Sequence, residues 1–215
     1  MNSERIIKTA RTIVERFPKV HSDKDPFRVL ITTILSQRSK DENTEIAADR
    51  LFSTYGKITE IASKEPEQLY DLVRPAGIYR QKSKRIIEVS RILLEKYSGK
   101  VPENIDELTK LPGVGRKTAN IVLWVSFSVP ALAVDTHVHR IANRLGWIKT
   151  RSPEKSEYAL MKVLPGELWG PVNGAMVEFG KAICKPRRPL CRECPVKTYC
   201  DYYAAERNSV EEETG

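Results

Sequence analysis

Two stretches of this chain hold side chains able to do chemistry. The first is Leu111-Pro-Gly-Val-Gly-Arg-Lys-Thr-Ala-Asn120, in which Gly113 and Gly115 frame a tight turn and Lys117 follows at the start of an apolar-periodic segment. A glycine turn opening a helix exposes backbone N–H groups that the helix itself cannot satisfy, a ready cradle for a phosphate. An amine in that first turn is a nucleophile whenever it is neutral. The plain alternative for Lys117 is a solvated lysine. Downstream, Val134-Asp-Thr-His137 sets a carboxylate and an imidazole ahead of another helical segment. Aspartate before a helix is a favoured N-cap, and a capping carboxylate is held in place, so Asp135 can cap and serve chemistry at once. Two helices flanking one connector can bring Lys117 and Asp135 to opposite sides of a single cleft. For His137 the position favours a packed, hydrogen-bonded ring over a reactive one.

The second stretch contains every cysteine of the chain: Cys184, Cys191, Cys194 and Cys200, spaced C-x6-C-x2-C-x5-C. Such clustering in a reducing compartment argues for a metal site over disulfides. Four thiolates suit a tetrahedral zinc or a 4Fe–4S cluster, and ligand type does not separate the two. Zinc modules more often pair two C-x2-C knuckles; only one occurs here, which leans toward the cluster. Lys185, Arg187, Arg188 and Arg192 lie between the ligands, so a bound metal would shape a basic, phosphate-facing loop.

The rest of the composition fits a polyanionic partner. The 215 residues carry a formal net charge of +8, with 40% apolar and 30% charged residues, and the isoelectric point is near 9.3. Charge alone fits a nucleic-acid partner and a lysine-rich solvated surface equally well. No apolar run approaches the ~20 residues of a membrane span, and the polar opening Met-Asn-Ser-Glu-Arg lacks a signal-peptide core. An intracellular, cytoplasmic setting is therefore expected.

Helical periodicity runs through nearly all of the sequence. Ile6, Ile7, Ala10, Ile13 and Val14 form one stripe over residues 4–16. Asp25-Pro26 reads as an N-cap with proline at the first helical position, opening an apolar helix to about Ser36. Further helices are predicted at 41–55, 67–73, 80–98 and 154–163, the last opened by Ser152-Pro153. Asn104 and Glu107 resemble a capping box ahead of a short helix leading into the glycine turn, and residues 118–127 continue as a helix beyond it. Val129–Val134 reads as an extended connector, because no neighbouring segment alternates with period two. Only the tail from about Asn208 reads as disordered and acidic. The fold class is all-α.

The glycine turn, the Val134–His137 motif and the cysteine spacing together resemble the endonuclease III family of DNA glycosylases, in the family's order, from Asp25-Pro26-Phe27 to Cys200. That resemblance implies a two-domain helix–hairpin–helix glycosylase fold. A six-helix domain would span about residues 22–132, with the hairpin at about 105–127. Residues 1–21 and 133–207 would form a domain holding a 4Fe–4S cluster on the four cysteines, with the acidic tail at 208–215 beyond it. The resemblance implies Lys117 as catalytic lysine and Asp135 as catalytic aspartate. Some relatives that excise mismatched bases carry tyrosine or serine at the lysine position. Lys117 thus implies a bifunctional glycosylase and abasic-site lyase of base excision repair, acting on oxidised pyrimidines.

The implied partner is double-stranded DNA with damaged bases or abasic sites, bound by a monomer in the prokaryotic nucleoid. Arg116 and His137 join Gly113, Gly115, Lys185, Arg187 and Arg188 as expected DNA contacts. Many bacterial relatives read Ser-Ala-Gln-Ala-Thr-Asp where this chain reads Ser36-Gln-Arg-Ser-Lys-Asp41. Gln37 or Arg38 would fill the hole left by a flipped base. Ile78 matches an apolar wedge entering the stack, with a buried helix-start isoleucine as its alternative. The altered loop keeps open a mismatch- or alkylation-directed glycosylase. A non-catalytic DNA-binding hairpin is the third reading, against which the presence of both Lys117 and Asp135 argues.

Overall fold

The computed structural model describes residues 2–205, all helix, turn and connector without a strand among them. In chain order the α-helices are α1 (Ser3–Arg16), α2 (Pro26–Ser36), α3 (Asp41–Thr54), α4 (Ile58–Ala62), α5 (Tyr70–Val73), α6 (Tyr79–Tyr97), α7 (Ile105–Leu108), α8 (Arg116–Phe127), α9 (Thr136–Arg144), α10 (Pro153–Val163) and α11 (Gly166–Ala182). The all-α expectation holds, and residues 128–135 are the extended connector expected there. The expected acidic tail lies outside the described residues.

The chain divides into two compact units, His21–Val129 and the remainder, in which the stretch up to Val20 joins the stretch from Pro130 onward. In the first unit α2 is central. It packs against α3, α6 and α8, and Val29, Leu30, Ile31, Ile34 and Leu35 are all buried. A helix apolar around most of its circumference belongs in a core. Truncating Leu30 or Ile34, both 0% exposed, to alanine would cost on the order of 2–5 kcal/mol. Asp25 starts the helix as its sequence predicts, accepting from the Arg28 N–H at 2.8 Å, with Pro26 in the first turn.

In the second unit α11 packs against α1 and α9, around Ile13, Ile141, Met176 and Phe179. Helix α11 has no clear sequence signal, since Gly166, Gly170, Gly174, Gly180 and Pro171 all lower helix propensity. Packing overrides that propensity. A Cβ on Gly180 would fall 2.4 Å from Nδ1 of His137, so glycine is what lets α9 approach. Two other departures have local causes. The helix predicted at 67–73 is a 3-10 turn at Pro66–Leu69, then α5, then a second 3-10 turn at Arg74–Ala76, each 3-10 turn having proline in its first positions. Helix α4 begins with no apolar stripe long enough to mark it.

Candidate active site and nucleic-acid interface

The hairpin is built from α7, the turn at residues 109–115 and α8. Asn104 caps α7 by accepting from the Glu107 N–H at 2.9 Å. The expected capping box forms only by this half. Glu107 instead takes bonds from Tyr97 and Lys110, at 2.6 Å each, and those donors hold its carboxyl below the usual range, Lys110 most strongly. In the turn, the Val114 N–H donates to the Leu111 carbonyl at 3.1 Å, and Gly113 adopts φ +75°, which glycine reaches without strain. Gly115 is the N-cap of α8. Without a side chain it offers no capping acceptor, so α8 starts with no side-chain cap. Lys117, second residue of α8, is exposed, and Arg116 is half-buried.

Two more elements of this unit meet at the turn, and a third, at Ile78, is marked by its backbone. The side-chain amide of Gln37 donates to the Gly113 carbonyl at 2.8 Å, and Arg85 lies 3.5 Å from Oε1 of the same glutamine. Arg38 beside it is exposed and left-handed, at φ 54°. Ile78 is also left-handed, φ 47° and ψ 33°, and is 47% exposed. The buried-isoleucine alternative therefore fails. A β-branched residue at positive φ costs on the order of 1–2 kcal/mol, and strain of this kind concentrates at functional positions.

The other unit carries Asp135. Its Oδ1 accepts from the N–H groups of His137 at 2.8 Å and Val138 at 2.9 Å, a doubled form of the cap that its position predicts. His137 is half-buried, its Nδ1 3.3 Å from Arg140, in keeping with a packed ring. Two arginines that sequence reasoning missed then hold the cysteine loop. Arg140 donates to the Cys184 carbonyl at 2.9 Å. Arg144 donates to the carbonyls of Lys185 at 2.7 Å and Pro186 at 2.9 Å, and its guanidinium lies over the Tyr202 ring. Their i, i+4 spacing on α9 is a signal, but only once the loop they reach is known.

All four cysteines are half-buried thiols and line one cavity with Leu145, Phe179, Ile183 and Pro189. Burial pushes the thiols of Cys194 and Cys200 up. Among the described residues, no three metal-ligating side chains close to single-ion spacing. Lys185, Arg187 and Arg188 are exposed on the loop between the first two cysteines.

A family model, the HhH-GPD superfamily of base excision DNA repair proteins, matches residues 31–166. An endonuclease III of Thermotoga maritima is 64% identical over 194 residues, 90% of this chain and 91% of that protein. The chain belongs to the endonuclease III family. It is a base excision repair enzyme of the DNA glycosylase and abasic-site lyase class. A solved non-covalent endonuclease III–DNA complex superimposes on this family member with TM-score 0.89 at 36% identity, covering 97% of this chain and 99% of that one. A trapped endonuclease III–DNA covalent intermediate matches with the same score and identity over 96% and 99%. Among the described residues no helix is long and apolar enough to cross a membrane.

Proposed function

We propose that the protein is a bifunctional glycosylase and lyase that removes oxidised pyrimidines from double-stranded DNA and cleaves at abasic sites, with Lys117 as nucleophile and Asp135 as its charge-stabilising partner. The observation that carries this reading is the setting of Lys117: an exposed amine one residue past the uncapped start of α8. The damaged nucleotide leaves the stack, at least cost where pairing is already weak. The neutral amine then attacks C1′ of the deoxyribose. The glycosidic C–N bond breaks, and the base departs with the bonding electrons and takes up a proton. Opening of the sugar leaves a Schiff base between Nζ and C1′. Loss of a C2′ proton expels the 3′ phosphate by β-elimination. Asp135 is assigned to stabilise the positive charge that develops on the sugar, its carboxylate held in place by the helix cap.

The amides of Gly113, Gly115 and Arg116 are assigned to backbone phosphate, as are Lys185, Arg187 and Arg188. Ile78 is assigned as the wedge, with Gln37 or Arg38 at the vacated base and His137 as a further DNA-side residue. The strain and exposure of Ile78 support its part. Cys184, Cys191, Cys194 and Cys200 are assigned to a 4Fe–4S cluster; their shared cavity with apolar walls fits such a group. A cluster held by these thiolates would cross-link the loop, which Arg140 and Arg144 already hold by its carbonyls. A monomer acting inside the cell on the chromosome is the corresponding setting.

The test is a strand-cleavage assay on duplexes bearing thymine glycol, dihydrouracil, uracil opposite guanine or an abasic site. Release of thymine glycol with a nick on the 3′ side supports the reading. Activity confined to uracil opposite guanine would favour the mismatch-directed alternative, and base release without any nick would remove the lyase step.

A further inference from the structure

Lys82 is 2% exposed, the only buried lysine or arginine among the described residues. It lies in the first turn of α6, within the unit that holds the hairpin. Burial of an ammonium is costly, and a methionine of similar length would fill the same space without that cost. The charge persists with two partners. Nζ donates to the Leu35 carbonyl at 2.7 Å and to the Ala76 carbonyl at 2.8 Å. Leu35 belongs to the last turn of α2, where carbonyls have no acceptor duty inside the helix and a cation is favoured. Ala76 ends the 3-10 turn before α6. One ammonium thus closes two helix ends.

Each of these carbonyls stands immediately ahead of a segment with left-handed backbone. Beyond Leu35 come Ser36, Gln37 and the left-handed Arg38; beyond Ala76 come Gly77 and Ile78, both at positive φ. These are the segments assigned to the vacated base and to the wedge. We propose that Lys82 is a positioning residue that fixes the Gln37–Arg38 loop and the Gly77–Ile78 turn relative to one another, so that wedge and gap-filling side chain enter the duplex as one unit. The inference rests on that assignment of Ile78, Gln37 and Arg38. Lys82 touches no reacting atom; it acts through the two backbones. Burial lowers its pKa to about 8, while the two accepting carbonyls favour the ammonium, and the neutral amine retains enough N–H groups to serve both.

The test compares wild type and Lys82→Met in single-turnover excision of thymine glycol, in cleavage of a preformed abasic site, and in fluorescence of 2-aminopurine placed opposite the lesion. An abasic site has no base to extrude and asks less of the wedge. The expected result is a loss of about tenfold or more in thymine glycol excision, the scale of a lost buried charge-assisted contact, with abasic-site cleavage kept within about threefold. The 2-aminopurine signal on binding should shrink. Ile78→Ala should show the same pattern, and adding Lys82→Met to it should cost less than about twofold more, since the two act on one step. Equal losses on both substrates, or full multiplication of the two single losses, would overturn the clamp. Should Lys82→Met fail to fold, Lys82→Gln, a shorter side chain whose amide N–H groups are neutral, is put through the same comparison. A wild-type enzyme inactive on every duplex would instead sink the glycosylase and lyase reading, a separate outcome.

Discussion

The side-chain amide of Gln37 is bonded to the Gly113 carbonyl at 2.8 Å, which ties the loop after α2 to the turn that precedes Lys117. The stem of Arg85 closes the same corner, so near that a Cβ on Gly113 would come within 2.8 Å of it. Loop and hairpin are therefore one mechanical piece. The neighbours Gln37 and Arg38 consequently do different work: one is engaged within the unit, the other projects from it.

Gln37→Ala should lower unfolding stability by about 1 kcal/mol, the usual net worth of a partly exposed hydrogen bond to a neutral carbonyl. Arg38→Ala should stay within about 0.5 kcal/mol of wild type, as surface changes do, while shifting the preference for the base opposite the lesion. Urea denaturation and excision assays with each of four opposite bases check both. A larger stability loss for Arg38→Ala than for Gln37→Ala would reverse the assignment.

Asp135 allows its structural and chemical roles to be separated. Asparagine is as good an N-cap as aspartate and its amide oxygen can accept the same N–H bonds from His137 and Val138. Asp135→Asn should thus keep stability within about 0.5 kcal/mol of wild type yet reduce excision strongly, because the carboxylate charge is gone. Asp135→Ala should lose the cap as well, at about 1 kcal/mol. Thermal melts set beside single-turnover rates give the comparison.

Lys82 predicts a pH signature. Its folded-state pKa, about 8, lies below the 10.5 of a free lysine. Between those values the unfolded chain holds a proton that the native state has released, so the native state gains stability as pH rises through this window. Wild type minus Lys82→Met, measured by urea unfolding across the window from about 8 to 10.5, should show a difference that moves in favour of wild type with rising pH. A flat difference would mean that the two carbonyls hold the ammonium fully.

The cysteine cavity predicts a brown protein with broad absorbance near ~400 nm, as thiolate-ligated iron gives. Cys194→Ser should lose the colour and weaken DNA binding, because Lys185, Arg187 and Arg188 are carried on the loop that the ligands frame. Iron and zinc analysis of the purified protein checks the assignment; zinc in a colourless protein would contradict it.

What the sequence makes legible is local chemistry. Asp25, Asn104, Asp135 and Ser152 each cap the helix that their positions predict, since a cap needs only its own next three residues. Longer-range features are hidden. Helix α11 reads as a breaker-rich segment, because Gly180 matters only once α9 lies against it and Gly174 only once Lys19 does. Lys82 reads as one more solvated lysine among Arg80, Lys84 and Arg85, since burial comes from α2 and the 3-10 turn packing over it. Ile78 is ambiguous for the opposite reason: an apolar residue at a helix start is normally buried, and only its backbone conformation and exposure mark it out. Arg140 and Arg144 act on carbonyls some forty residues away, beyond any local pattern.

The central claim is that Lys117 forms the covalent bond to DNA. Borohydride reduction during reaction with a thymine glycol duplex tests it most directly. Wild type should yield a stable protein–DNA adduct whose modified peptide contains Lys117, and Lys117→Ala should yield none while still binding the duplex. An adduct of undiminished yield with Lys117→Ala, or none with wild type on any substrate it cleaves, would contradict the account.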